Sequence, residues 1–389
     1  MIKVEQKEIS NYSYFLLMFF LPISLLFGNI FLGILFLSVL LQKDKKTMSN
    51  PVIISLVVFF LFILINGVFT TDFSIEQGNY KKIVPLLLIP FSILNIEKNV
   101  RFKGLLFLFF GIVIIQINSV IGIIDYYYFT EGKKYLLKNY SKINEILNYE
   151  RPYLGYFSVL NIIISYYFFK QKNKKAIAII ATVFSLLLII IISARLSIIT
   201  ALFLGVITLF FELNNKKKLI AFSGLTSLLL VFYFSNNTLK DRFLHINKDA
   251  RVIIWEGAIN SFSKTNNFFL GSGSQENTRN ELLEHYKNHQ DFESIDEKNR
   301  FITKNYNTHN QYLNEILRGG VLGLVIFLFP QGFNLYFNFR KKTVTIELLF
   351  LISILCFCLV ENILDRQIGV YLYAILLSLS NMNDDKLSL

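Results

Sequence analysis

The chain has 389 residues, 53% of them apolar, with forty phenylalanines, six prolines and a mean hydropathy of +0.49, a balance that excludes an ordinary soluble globular domain. Apolar blocks of about 17–20 residues match the length an α-helix needs to cross a hydrocarbon core of about 30 Å, whereas barrel strands would alternate in polarity. The formal charge of +12 needs no nucleic acid, because much of it lies in short basic loops that set membrane orientation and meet anionic lipid headgroups.

The expected fold is all-α, a polytopic integral membrane protein with spans at 12–27, 29–42, 51–68, 83–96, 103–124, 152–169, 175–194, 196–212, 218–234, 320–338, 346–361 and 367–381. That makes about twelve crossings. The first two spans share one apolar block with a break expected at Gly28 and Asn29, and the block is too long for a signal-peptide h-region, so it is expected to remain as the first span. Lysine and arginine cluster in every second connection: Lys43, Lys45 and Lys46; Lys98, Arg101 and Lys103; Lys170, Lys172, Lys174 and Lys175; Lys216, Lys217 and Lys218; Arg340, Lys341 and Lys342. The positive-inside rule makes these loops and both termini cytoplasmic. Three parts follow: helices one to nine in 1–234, a large outward loop in 235–319, and helices ten to twelve in 320–389. No repeat of fixed period is evident, and Cys356 and Cys358, one residue apart in an apolar span, read as small buried residues.

Between the seventh and eighth spans the sequence runs Ser193-Ala-Arg195-Leu-Ser with almost no polar linker. A guanidinium there costs several kcal/mol unless it snorkels, pairs with an acid or borders water. The orientation rule puts this turn on the outer face, where topology does not favour a basic residue, so Arg195 is a candidate ligand for a phosphate or pyrophosphate at the membrane surface.

The outward loop holds all four histidines and the single tryptophan, and its acids and bases nearly balance between Asn236 and Arg318, so any anion recognition must come from individually placed arginines. Val252, Trp255, Ala258, Ile259 and Phe262 keep helical spacing, which makes Arg251 the opening of a short amphipathic helix and a second phosphate-ligand candidate. Gly271-Ser-Gly273 marks a tight turn; alone it is weak support for anion binding.

Just before the tenth span, Asn307-Thr-His309-Asn310-Gln-Tyr312 supplies a helix cap and a histidine at the mouth of the bundle, suited to act as general base toward a sugar hydroxyl. Asn310, Tyr312 and Arg318 are candidate supporting residues. His285 and His289 have i,i+4 spacing, but no glutamate follows the first histidine as a metalloprotease motif requires, and His245 has no visible partner; no metal is expected. Glu361, Asp365 and Arg366 form a polar turn between the last two spans, where an acid would hold one of the arginines in place.

This pattern resembles the O-antigen ligase and O-antigen polymerase family of bacterial membrane glycosyltransferases. The carrying residues are Ser193-Ala-Arg195-Leu-Ser, Arg251-Val-Ile-Ile-Trp255 followed by Gly271-Ser-Gly273, and His309-Asn310-Gln-Tyr312-Leu with Arg318-Gly319-Gly320-Val-Leu-Gly323. The resemblance implies about twelve helices with one large periplasmic loop between the ninth and tenth, in the bacterial cytoplasmic (inner) membrane. It further implies transfer of a glycan from undecaprenyl pyrophosphate to a glycan, lipid-core or protein acceptor, without nucleotide sugar, metal or other cofactor. Carried onto this chain, Arg195 and Arg251 would hold the donor pyrophosphate and His309 would engage the acceptor hydroxyl. Ala194-Arg195-Leu196 departs from the glycine-containing Ser-Arg-Gly of many relatives. Ligase and polymerase share this donor chemistry; nothing in the sequence marks a ligase specifically, which favours polymerase or a general surface-polysaccharide role. A secondary transporter of a small anion or solute is the alternative from another class, although inverted repeats and Gly/Pro-broken helices are not evident.

Overall fold

The computed structural model describes residues 2–42, 50–129, 143–171, 174–212, 250–264, 267–290, 292, 294–341 and 343–380. The expected span 218–234, the lysines Lys43, Lys45, Lys46, Lys172, Lys216, Lys217, Lys218 and Lys342, and Asn236, His245 and Asp249 lie outside the described residues. Among the described residues every regular element is helical and none is a strand.

Helices α1 (Ile2–Phe20) and α2 (Leu25–Leu40) form a hairpin against α6 (Lys98–Phe129). The break between them falls at Leu21 to Ser24 rather than at Gly28 and Asn29, because Pro22 has no N–H to continue the ladder, and Gly28 is buried within α2. Asn29 instead makes an interhelical contact, its Oδ1 accepting from Gln367 Nε2 at 2.8 Å and from the Tyr371 hydroxyl at 2.5 Å. Helix α3 (Pro51–Thr70) opens with Asn50 Oδ1 accepting from Val52 N, the ordinary use of Asn as an N-cap. The span expected at 83–96 is divided: α4 (Phe73–Ile83) ends where Pro85 begins α5 (Pro85–Leu94). Ten residues of helix cover only about 15 Å, about half a hydrocarbon core.

After α7 (Ile143–Ile146), α8 (Arg151–Lys170) and α9 (Lys175–Ile191) pair antiparallel, and α10 (Arg195–Glu212) packs on α8. Three shorter helices, α11 (Ala250–Lys264), α12 (Gln275–Asn288) and α13 (Ile295–Lys304), then build a separate layer around Ile254, Ala258, Leu282, Tyr286, Phe301 and Leu317. The chain returns through α14 (Gln311–Phe339), α15 (Ile346–Cys358), a 3-10 turn (Ile363–Asp365) and α16 (Gln367–Ser380). Every residue of α16 from Gly369 to Ser380 is buried, under α5, α14 and α15, so this helix is the centre of the bundle. Among the described residues, α3, α6, α10 and α14 are long and apolar enough to cross a membrane, and α2, α9, α15 and α16 are shorter apolar helices.

The bundle has two distinct ends. Lys7 bonds Glu97 at 2.5 Å between α1 and the turn before α6, and Lys170 and Tyr166 at the end of α8 meet Glu212 at the end of α10. Lys174 and Arg340 lie over the rings of Phe168 and Tyr336, as cations do when their stems cover apolar surface. Arg151 and Arg195 begin the same two helices whose far ends carry Lys170 and Glu212. A twenty-residue helix separates such groups by about 30 Å.

Helix α14 is continuous except at Gly320, whose φ of 63° and ψ of −161° break it after two and a half turns. The turn 268–273 fills the gap: Ser272 N and Gly273 N donate to the carbonyls of Leu317 and Arg318, both at 2.8 Å, while Val321 N and Leu322 N donate to those of Phe268 and Phe269. A Cβ on Gly320 would stand 2.3 Å from the Phe269 carbonyl carbon, a backbone atom with nowhere to move. One on Gly319 would meet only the Phe62 ring edge. Gly320→Ala should therefore lower the thermal unfolding midpoint clearly, with about 1–3 kcal/mol lost to backbone strain before the overlap is counted, and Gly319→Ala should cost less. Thermal unfolding of both variants in the same detergent checks the ranking.

Candidate active site

Arg195 is placed by the way α9 ends. Ser193 adopts a left-handed conformation, φ 50°, while its N–H bonds the Ile190 carbonyl and that of Ala194 reaches back to Ile189, a Schellman-type stop. The next residue starts α10. A Cβ on Gly155 would lie 2.4 Å from Ser197 Oγ and 2.8 Å from Ala194 Cβ, so α8 and α10 touch one turn below Arg151. Arg151 and Arg195 thus open adjacent helices at one level.

Arg151 stands ahead of the apolar span 152–169, and its surroundings locate the other charges. Burial, then the like charges of Arg195 and of Arg251 in the first turn of α11, push its guanidinium down from the ordinary value, and the Glu361 carboxylate opposes them. Arginine remains protonated regardless. Glu361 also faces His309, with Oε2 3.8 Å from Nδ1. The charges of Arg195, Arg251 and Glu361 therefore all act on one residue that sequence reading passed over, since Glu150-Arg151-Pro152 reads as an ordinary charged flank to a span.

The loop carrying His309 is held from four sides. His309 itself has φ 45°, a strained value for a non-glycine residue, and its N–H bonds Asn307 Oδ1 at 3.2 Å. Asn310 caps α14 by accepting from Tyr312 N and Leu313 N. Trp255 Nε1 donates to the Thr308 carbonyl at 3.1 Å, which ties α11 to the loop. Buried Asn362 supplies the central contact: its Oδ1 accepts from Asn310 N at 2.7 Å and from Thr308 Oγ1 at 2.8 Å, and its Nδ2 donates to Asn314 Oδ1. Neither Asn362 nor Trp255 was singled out as a site residue from sequence.

The remaining expected residues fall on the margins of this arrangement. Asp365 accepts from Asn307 Nδ2 at 2.8 Å and lies 3.9 Å from Arg279, so it supports the loop, while exposed Arg366 pairs with Glu150 at 3.0 Å. Arg318 is buried and one of its nitrogens contacts both oxygens of Glu315 at 2.7 Å, placing its charge inside the outer layer. The Tyr312 hydroxyl donates to the Leu355 carbonyl at 3.1 Å. The backbone N–H groups of Ser272 and Gly273 already serve α14, which makes that turn a structural joint. His285 and His289 lie with ring centroids 5.2 Å apart and planes tilted by 40°, and no grouping of three or more histidine, cysteine, aspartate or glutamate side chains suited to a metal occurs among the described residues.

Residues 180–328, which include Arg195, Arg251, the Gly271–Gly273 turn, His309 and Arg318, match the family model described as O-antigen ligase. The resemblance read from the sequence to the O-antigen ligase and polymerase family is thereby supported over that segment, and with its apolar helices the chain is a membrane protein. No curated protein matches the chain. Arg151 and Glu361 lie outside the matched segment; Glu361 was already a candidate from the sequence, and only the geometry draws attention to Arg151.

Two outcomes follow from these contacts. Asn362→Ala leaves the Asn310 N–H without its buried acceptor, while Thr308 Oγ1 keeps the Asn310 carbonyl at 2.9 Å, and should cost about 1–3 kcal/mol, read as a lowered unfolding midpoint. Glu281, on α12, has its carboxyl pushed up to about 7 by burial and by Glu284. The folded state then holds a proton that the unfolded state releases near its ordinary value, so stability falls as pH rises toward 7. Glu281→Gln should flatten that decline in unfolding midpoints measured from pH 5 to 8.

Proposed function

We propose that this chain is a membrane glycosyltransferase that transfers or polymerises glycan units carried on undecaprenyl pyrophosphate, at the outer face of the bacterial cytoplasmic membrane. In this reading about twelve helices cross the bilayer, both termini are cytoplasmic, and 235–319 is the periplasmic loop. What supports it most is one observation: Arg195 opens α10 at the level where α8 begins, the Trp255 bond to the Thr308 carbonyl ties the helix of Arg251 to the loop of His309, and Glu361 lies 3.8 Å from the His309 imidazole.

The chemistry follows from those groups. The acceptor hydroxyl oxygen attacks the anomeric carbon of the donor sugar, the bond from that carbon to the phosphate oxygen breaks, and the hydroxyl proton passes to His309. Polyprenyl pyrophosphate leaves with the bonding electrons. Guanidiniums fixed beside the leaving oxygen stabilise the charge growing there, more strongly in a partly buried site than in water. A carboxylate facing Nδ1, as Glu361 does, favours the tautomer with its proton on that nitrogen and leaves Nε2 to receive the hydroxyl's. Membrane placement of the cations at the starts of α8 and α10, with their lysine- and glutamate-bearing ends about 30 Å away, supports a surface reaction over a transport site at mid-depth.

In cells lacking the wild-type gene, Arg195→Ala, Arg251→Ala and His309→Ala should each cut glycan transfer by about 10²-fold or more, the usual scale for losing one transition-state contact. Glycan gels of complemented strains provide the readout; unchanged glycan amount and length in both Arg195→Ala and His309→Ala would sink the mechanism. The same strains separate the two acceptor classes. Accumulated single carrier-linked units indicate a polymerase, and accumulated carrier-linked polymer indicates a ligase.

A further inference from the structure

The turn that enters the break in α14 carries three apolar side chains in a row, Phe268, Phe269 and Leu270, which are 55%, 60% and 38% exposed. A connection facing water ordinarily places polar or turn-forming residues at such positions, and adjoining large apolar groups left uncovered mark a surface where something apolar belongs. The backbone here has no freedom to withdraw them. Val321 N and Leu322 N donate to the carbonyls of Phe268 and Phe269 at 3.1 and 3.2 Å, and Asn66 of α3 holds that of Leu270.

Those bonds also set the depth of the turn. Beyond Gly320, α14 exposes Leu322, Val325 and Phe329, whose spacing puts them on one face of a helix long and apolar enough to cross a membrane. Arg340 caps the other end of that helix. At a rise of about 1.5 Å per residue Leu322 stands about 27 Å from Arg340, within the span of a hydrocarbon core of about 30 Å. Phe268 and Phe269, bonded to the first residues of this apolar stretch, are therefore level with the edge of the hydrocarbon and continue the exposed stripe of α14. The polar side chains of the preceding turns, Gln311, Asn314, Glu315 and Arg318, are buried and contribute nothing to this face.

We infer that Phe268, Phe269 and Leu270 form a membrane anchor, a turn of the outer layer that inserts among the phospholipid acyl chains of the outer leaflet just beneath the headgroups. Phe262 of α11 packs on Phe268 with ring centroids 5.3 Å apart, so the helix that Arg251 opens is joined to the leaflet through two rings. The anchor sets the height at which that helix lies over the bilayer. It rests on α14 crossing the membrane with 235–319 outward, and not on the donor chemistry proposed above.

The test uses the full-length protein in phosphatidylcholine nanodiscs, one copy per disc. Phe269→Trp adds an indole to a chain whose one native tryptophan, Trp255, gives the wild-type baseline, and Ile295→Trp, at an 80% exposed position where α13 begins, is the water-facing reference. Emission is read with phosphatidylcholine bearing a nitroxide near the headgroup end of its acyl chain, and separately with aqueous iodide. The added emission of Phe269→Trp should lie to the blue of that of Ile295→Trp, be mostly lost to the nitroxide lipid and change little with iodide; Ile295→Trp should do the reverse. Iodide quenching of Phe269→Trp as strong as that of Ile295→Trp would overturn the anchor. Emission that neither quencher reaches would overturn it too, because another part of the protein then covers the turn. Loss of lipid quenching in discs that hold two copies would make a second copy the occupant, with the same consequence. If Phe269→Trp does not fold, Phe268→Trp carries the test with the same outcomes.

Discussion

A helix interrupted inside a membrane protein must give its orphaned backbone groups to another part of the chain, because lipid offers no donor or acceptor in their place. Helix α14 meets this constraint at Gly320 by accepting the turn 268–273 into the break, with four backbone hydrogen bonds running both ways between the two segments. The joint fixes the layer of α11, α12 and α13 on the bundle. Asn66 reinforces it from α3, donating to the Leu270 carbonyl at 2.8 Å, and Glu76 of α4 accepts from Glu276 N at the start of α12. Through this seam the outer layer, and with it Arg251, is held in register with helices that carry Arg151 and Arg195.

The second constraint concerns charge. Apolar helices tolerate guanidiniums only at their ends, where water or an anion is within reach. Arg151 and Arg195 are first residues of their helices, and Arg251 sits in the first turn of its own. The same rule explains the Glu315–Arg318 pair: both groups are buried, so each is tolerated through two short contacts with the other. Glu361 has the unusual position, shared between a guanidinium and an imidazole, so the electrostatics of those two groups are linked through one carboxylate.

Away from the site, amides hold the bundle together. Gln116, Ser158, Asn161 and Ser185 join α6, α8 and α9, and Gln331, Asn334 and Asn338 on one face of α14 donate to the Tyr373 hydroxyl and the Leu377 and Ser380 carbonyls of α16. Lipid tails are as apolar as leucine, so burial alone gives membrane helices little reason to associate; close packing and such hydrogen bonds supply it. These contacts keep α8 and α14 rigid beneath the site.

Much of this was legible in the sequence. Apolar block length and composition specify helices, and Arg195, Arg251 and His309 stand out because a lipid-soluble chain has few reasons to keep such groups. Pro22 and Pro85 shift the expected boundaries, since hydropathy registers the apolar character of a block and not the missing backbone donor inside it. Other features had no local signal at all. Arg151 looks like a span flank, Asn362 like a loop residue and Gly320 like one glycine among several; their roles arise from groups more than forty residues away, brought close only when α8, α10, α11 and the 361–366 turn meet. Residue type and spacing determined by themselves that this chain is helical, membrane-borne and equipped with cations and an imidazole, because those follow from transfer free energies and periodicity. Which cations share a carboxylate, and which glycine breaks a helix, was decided by packing alone, since Coulomb forces and hydrogen bonds depend on distance through space and not along the chain.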